Sequence, residues 1–311
     1  MSKRVSQKYQ TKAGSLMDST LNVIKREMVK DKMALISFIF MISLIVVIFL
    51  VSLIFNSTEV MQTNYDFTLE GWEGWNQPPS LRYWLGTDDR GRDVLLVTIL
   101  AARTALTIVA LTTLISSIIG IIYGLISGYI GGVVDNVMMR IVEVISIFPN
   151  FVIILVAILI GGYSVARFII VTSLVTWTSI AKVVRTRLAQ EKELDYIQAS
   201  RTLGTSHFNI ILHQLLPNLS TVIIASITIN AVSIVGIEAG FSFLYQSFSG
   251  RLDQLINPTL GTLVSTTMQM IVLRFRRWIW VPALVLIALI MVSINNIGEM
   301  LSRASDSRQR R

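Results

Sequence analysis

The chain contains no cysteine, which excludes disulfides and thiolate chemistry and leaves the compartment open. Charge is scarce too: Asp, Glu, Lys and Arg make up 15% of its 311 residues against 53% hydrophobic ones, and the mean hydropathy is +0.64. That balance excludes a soluble domain of this size and places the chain among membrane proteins. No GxxxxGK[ST] phosphate loop is present, and the dipeptide Gly-Lys does not occur. Neither a Ser-His-Asp set nor paired acids placed for catalysis can be found, so no enzymatic activity and no bound cofactor are expected of this chain. Its two histidines, His207 and His213, lack a carboxylate placed to complete a metal site and read as solvated surface. A repeated pair of interrupted helices, the sign of a secondary transporter, is also missing.

What is present is a series of long apolar runs. A hydrocarbon core about 30 Å thick takes roughly 20 apolar helical residues to cross. Residues 33–55, 104–127, 219–237 and 278–298 meet this without a single charge. Two weaker runs, 141–160 with Glu143 and Pro149, and 163–181 opening with Arg167, bring the expected spans to six. The first run exceeds the core of a signal peptide and lacks a small-residue cleavage site, so it reads as a retained helix.

Lys and Arg concentrate in loops that stay in the cytoplasm. Residues 1–32 hold eight of them (Lys3, Arg4, Lys8, Lys12, Lys25, Arg26, Lys30, Lys32), the loop at 182–213 holds five and the tail after 302 holds four. With six crossings all three fall on one face. Residues 56–95, whose seven acids outnumber three arginines, fall on the other. Both termini are therefore expected to be cytoplasmic, with Arg274, Arg276 and Arg277 as the one cluster placed against the rule. The net charge of +8 follows from this topology and calls for no nucleic acid.

Gly120, Gly124, Gly128 and Gly132 recur every four residues, a spacing that lets helix backbones approach closely in lipid. The last two also fit the turn before Asp135. Pro149 predicts a kink in the third span. Glu143 and Glu238 are costly in lipid and are expected to face protein or water, either on a substrate path or snorkelling at a helix end. Tyr65, Trp72, Trp75, Tyr83 and Trp84 in the outer loop fit a headgroup-level belt, or else contact with an outside protein.

Between two apolar runs lies the polar stretch YIQASRTLGTSHFNIILHQLLPN, residues 196–218. Asp195 can cap a short helix, 196–203, that Gly204 ends through a left-handed turn. Ser206 can cap a second helix to Leu216, with Phe208, Ile211, Leu212 and Leu215 on one face and Pro217 marking the return to the membrane. On physics alone this helix-turn-helix is equally a cover over the bundle or a lever passing displacement into two spans.

The spacing of Gln198, Ala199, Ser200, Gly204, Leu216 and Pro217 resembles the EAA loop of ATP-binding-cassette (ABC) importer permeases, with Gln198 standing in place of the acid. Gln214 fits the peptide-importer branch. Leu85-Gly86-Thr87-Asp88-Asp89 with Gly91-Arg92-Asp93, the run Met139 to Pro149, and Glu238 followed by Phe241-Ser242-Phe243-Leu244 resemble further motifs of that branch. Residues 245–277 depart from it, retaining only Pro258-Thr259-Leu260-Gly261 of a Pro-rich segment. The resemblance, over residues 85–303, is to the C-type permease subunit of dipeptide or oligopeptide importers. It implies an all-α integral membrane fold of the type-1 class: a cytoplasmic segment 1–32, a first helix 33–55, an external loop 56–95, a five-helix domain 96–303 and a basic cytoplasmic tail 304–311.

The resemblance further implies a peptide path shared with a homologous permease in a heterodimer, two ATPase subunits carrying ATP and Mg, an external substrate-binding protein, and the bacterial cell membrane. The loop at 198–217 would meet the ATPases; from the residues themselves, Gly120, Gly124 and Gly128 are expected to pack helices, and Glu143 and Glu238 are candidates for the pathway or its gate. Nickel or another small solute, or a non-transporting scaffold, are the alternatives.

Overall fold

In the computed structural model, residues 23–55, 60, 75–249 and 258–309 are described; Tyr65, Trp72 and the segment 250–257 lie outside them. The described residues are helical apart from loops and one isolated bridge, Thr87 to Asp93. The long helices are α1 (Lys32–Ile54), α2 (Val94–Ile130), α3 (Gly132–Ile147), α4 (Asn150–Gly161) and α5 (Val165–Glu191). Short helices α6 (Asp195–Thr202) and α7 (His207–Ile210) follow, and then α8 (Leu216–Ser249). The chain closes with α9 (Leu260–Ser265), α10 (Met270–Phe275) and α11 (Arg277–Gln309).

Among the described residues five helical stretches are long and apolar enough to cross a membrane, and α3 with α4 makes a sixth passage if the pair is taken as one. That pair corrects the expectation of a kinked third span, because the helix is broken outright. Phe148 is extended, Pro149 precedes the first turn of α4, and the two axes diverge by 73°. Proline restricts the residue before it to extended backbone, and a free N–H is not needed at a helix start, so the break falls where both conditions are met.

The expected second span is also shorter than the helix that contains it. Asp93 caps α2 by accepting from the Leu95 N–H at 2.8 Å, eleven residues before the uncharged run begins. Arg103 sits inside the helix and reaches Ser52 of α1 at 3.4 Å. At 37 residues α2 is about 55 Å long and overshoots a bilayer core.

Two ends of the bundle can be told apart by ties between distant segments. At one end Arg303 pairs with Asp31 at 2.6 Å, Ser220 bonds Ser305 at 2.5 Å, and Lys192 donates to the Gly128 carbonyl at 2.9 Å. The Ala34 N–H, helped by Arg303, holds the Asp31 carboxyl below its usual range. At the other end Trp278 donates to the Thr87 carbonyl at 3.3 Å, which places the Arg274–Arg277 cluster with the loop before α2.

That loop is the sequence LGTDDRGRD folded on itself. Asp88, 4% exposed, accepts from the N–H groups of Arg90 and Arg92 at 2.9 Å each and from Arg92 Nε at 2.7 Å. Thr87 accepts from the Gln77 N–H at 2.8 Å. One carboxylate thus organises the turn that positions the Asp93 cap. Replacing Asp88 with alanine removes the acceptor that the Arg90 and Arg92 N–H groups and Arg92 Nε share, and a loss of about 2 kcal/mol is expected. Thermal unfolding of the purified protein in detergent checks it; an unchanged midpoint would refute the role.

α2 packs along α5 through glycines. A Cβ on Gly120 would lie 2.7 Å from the Trp177 carbonyl oxygen, on Gly124 2.7 Å from that of Ala181, and on Gly128 2.9 Å from that of Arg185. The turn reading of the last two glycines is corrected for Gly128, which is helical and tightly packed; Gly131 and Gly132, both at positive φ, make the turn. α1 lies at the periphery, burying only Ala34, Ser37 and Leu44 and bonding Asn296 of α11 through Ser37 at 3.0 Å.

Candidate functional site

The polar stretch expected to fold as two short helices does so, with a different ending. Leu194, not Asp195, holds the N-cap position of α6, and it has no side-chain cap. Asp195 lies within the first turn, where a carboxylate still complements the helix dipole. The C-terminus of α6 closes as expected. Gly204 has φ +80°, its N–H bonds the Arg201 carbonyl at 3.0 Å, and the Thr205 N–H reaches back to Ser200 at 3.1 Å. This pair of bonds is the Schellman closure, which favours glycine because a Cβ is strained there. Nothing lies within 4 Å of a Cβ at 204, so a side chain would meet backbone strain of about 1 kcal/mol and no collision.

Ser206 caps α7 by accepting from the Asn209 N–H at 3.4 Å. The second helix, expected to end at Leu216, instead continues. Residues Ile211–Leu215 form one π turn and lead into α8 without a break, so that His207–Tyr245 runs as one helical span. Pro217 has no N–H, and its ring would crowd a normal preceding turn. The Leu216 N–H bonds Ile211, five residues back, and this wider turn makes room for the ring.

The extra residue in the turn changes the apolar face: of the expected residues Leu215 and Ile211 stay against the bundle, and Phe208 and Leu212 leave it. Ile210 and Leu215 are fully buried, whereas Phe208 is 70% exposed and Leu212 38%. With Ile197 of α6 they join Ile180, Val184 and Leu188 of α5 and Leu219 and Ile223 of α8 in one cluster. Both short helices are thereby fixed to two spans at once. Ile197 was missed by sequence reasoning, since a helix of eight residues gives too little periodicity to single it out.

Polar contacts complete the attachment. Tyr129 Oη lies 2.6 Å from His207 Nδ1, and the Arg201 guanidinium stands 5.3 Å above the Tyr129 ring. Asn218 donates to Tyr196 Oη at 2.7 Å. Burial pushes the Tyr196 hydroxyl upward in pKa, the Asn218 bond opposes this, and Glu191 adds to it. Gln198 donates to the Lys192 carbonyl at 3.3 Å and so turns back on its own chain. Ala199 and Pro217 are exposed, and Ser200 Oγ bonds the Tyr196 carbonyl at 2.9 Å. Leu203, 85% exposed, and Phe208 stand out from this attached base as bare apolar side chains.

Beneath it lies an ion pair that spacing could not reveal. Asp135, 7% exposed, accepts from Arg185 Nε at 2.8 Å and from Ser127 Oγ at 2.5 Å, joining α2, α3 and α5 at the same end. Glu143 is found on the outside of the bundle, its side chain 57% exposed and bonded to Arg140 at 2.9 Å. Glu238 is the opposite case: it is 2% exposed, accepts from Ser242 Oγ at 2.9 Å and interacts with the fully buried Thr259. The elements that hold it lie at the far end, where Phe168, Phe241, Tyr163 and Tyr245 cluster.

Comparison with known proteins gives consistent matches. The family described as binding-protein-dependent transport system inner membrane component matches residues 120–311. The oligopeptide transport system permease protein OppC of Lactococcus lactis subsp. cremoris (strain SK11) is 32% identical over 292 residues, covering 94% of this chain and 96% of that protein. The oligopeptide transport system permease protein AmiD of Streptococcus pneumoniae is 30% identical, with 88% and 87% covered. The dipeptide transport system permease protein DppC of Bacillus subtilis is 29% identical, with 76% and 72% covered.

Proposed function

Because the chain belongs to the family of binding-protein-dependent transport system inner membrane components, we propose that it is a multi-pass permease subunit that moves peptides across the bacterial plasma membrane. It is a transport component and not an enzyme. The relatives are named for oligopeptides and dipeptides, which favours peptides over nickel or a non-transporting scaffold. In this reading a homologous permease completes the path, two cytoplasmic ATPases hold ATP and Mg, and an external binding protein delivers cargo. The end carrying α6 and α7 faces the cytoplasm, as its basic residues favour.

The observation that carries the reading is the apolar pair Leu203 and Phe208, exposed at the end of α6 and on α7, whose other sides are buried against α5 and α8. Such a surface is suited to a groove on an ATPase, and a push on it reaches both spans. Glu143, exposed beside Arg140 on the outside of the bundle, lies on a face of α3 that a homologous permease would have to cover to bring it into the transport path. Glu238 is sealed within the chain, so its part in gating goes through Ser242 and Thr259 and not through contact with cargo.

The double variant Leu203→Asp/Phe208→Asp tests this. Both positions are exposed, so the permease is expected to fold while peptide uptake falls at least tenfold, by roughly 1.4 kcal/mol or more of lost docking. The ATPases should no longer co-purify. Normal uptake with the ATPases retained would overturn the proposal.

A further inference from the structure

The outer surface of α3 carries two different stripes. Val137, Ile141, Val144 and Phe148 follow one flank at spacings of four, three and four, all exposed and apolar. Asn136, Arg140, Glu143 and Ser146 follow the other at spacings of four, three and three, also exposed. On α5, Ser179, Lys182 and Thr186 are exposed at spacings of three and four. The two polar flanks meet where Lys182 Nζ donates to Ser146 Oγ at 2.9 Å. Lys182 lies nine residues before the end of α5, about 13 Å along a membrane-spanning helix. Polar side chains so placed are costly against lipid and belong beside water or protein, while the apolar flank suits the bilayer.

The charges around this groove are matched, with one exception. Arg140 pairs with Glu143, Arg185 with Asp135 and Arg187 with Glu191. Lys182 has a neutral hydroxyl as its bonded neighbour and no acid within ion-pair distance among the described residues. An ammonium has three donors; Ser146 takes one and holds the stem along the groove. The other donors remain for an anion, and a flexible four-carbon stem can follow one that moves.

We infer that Lys182 is a specificity-determining residue of the path, receiving the C-terminal carboxylate of the peptide in transit. This rests on the peptide reading above. A carboxylate is the anion that peptides share whatever their side chains, so one lysine can serve cargo of many sequences. Ser146 acts as its positioning residue.

The test uses the whole transporter in proteoliposomes, with saturating binding protein carrying either trialanine or trialanine C-terminal amide. Wild type should turn over the free acid about tenfold faster than the amide, the ~1.4 kcal/mol expected of one charge-assisted hydrogen bond. Lys182→Met should remove that preference by slowing the acid alone, with the ATPases still co-purifying, and Lys182→Arg should restore it. Equal turnover of acid and amide in wild type would overturn the inference. So would an equal fall for both in Lys182→Met, which would assign the lysine to contact with the partner permease. Loss of Lys182→Met from the membrane, with Lys182→Arg showing no preference, would assign it a structural role and also overturn the inference. A wild-type transporter that moves neither peptide would instead refute the peptide reading itself.

Discussion

Replacing Gly124 with leucine is expected to leave almost no folded permease in the membrane. The first carbon of the new side chain would stand 2.7 Å from the Ala181 carbonyl oxygen and 2.9 Å from Val184 Cβ, both parts of a rigid neighbouring helix. Three further carbons have nowhere to go unless α2 and α5 separate. Separation would also undo the contacts at Gly120 and Gly128 and draw Ser127 and Asp135 away from Arg185. In lipid the loss is hard to replace, because close backbone packing is what holds such helices together. Overpacking of this kind costs about 1–3 kcal/mol in forgiving sites and more where the obstacle is backbone. Protein level in membranes and size-exclusion profile in mild detergent measure the outcome. Gly236→Leu is the control, since the nearest atom to a Cβ there is Met291 Cε at 4.0 Å. Wild-type yield and profile for Gly124→Leu would show that the helices are not packed as described.

The second large effect is expected at Asp135 and Arg185. Arg185→Ala leaves a carboxylate, 7% exposed, without its bonded cation and, among the described residues, with Ser127 as its remaining side-chain donor. Breaking a buried pair from one side costs about 3–5 kcal/mol, and the side-chain exposure of Arg185, 34%, places this pair at or below the lower bound. Asp135→Asn/Arg185→Gln removes both charges while keeping hydrogen-bonding groups, so it should recover much of the lost stability. A double-mutant cycle on unfolding midpoints measures the coupling. Additive effects of the two single variants would show that the residues act separately.

The features that could be read from sequence were local ones. The uncharged runs, the restriction that Pro149 places on Phe148, the Ser206 cap and the turn at Gly204 all depend on residues a few positions apart. The glycine repeat marked a packing face because its period matches a helix, but it could not name α5 as the partner. Three kinds of feature escaped. Asp135 and Arg185 are fifty residues apart, and only the folded bundle joins them. The charge at Glu143 gave no hint whether it would be buried like Glu238 or exposed beside Arg140. The π turn displaced the face read from regular spacing, which is why Phe208 is bare and Ile210 buried.

That turn also sets how motion can pass along the chain. From His207 to Tyr245 there is no loop to take up slack, so an axial push at Phe208 is carried on as translation unless the pitch changes at residues 211–215. If the wide turn tightened to a regular one, the segments on its two sides would rotate against each other by one residue's share of a turn, about 100°. Leu203 and Phe208 would then swing around the axis of α8, and torque rather than thrust would reach the membrane.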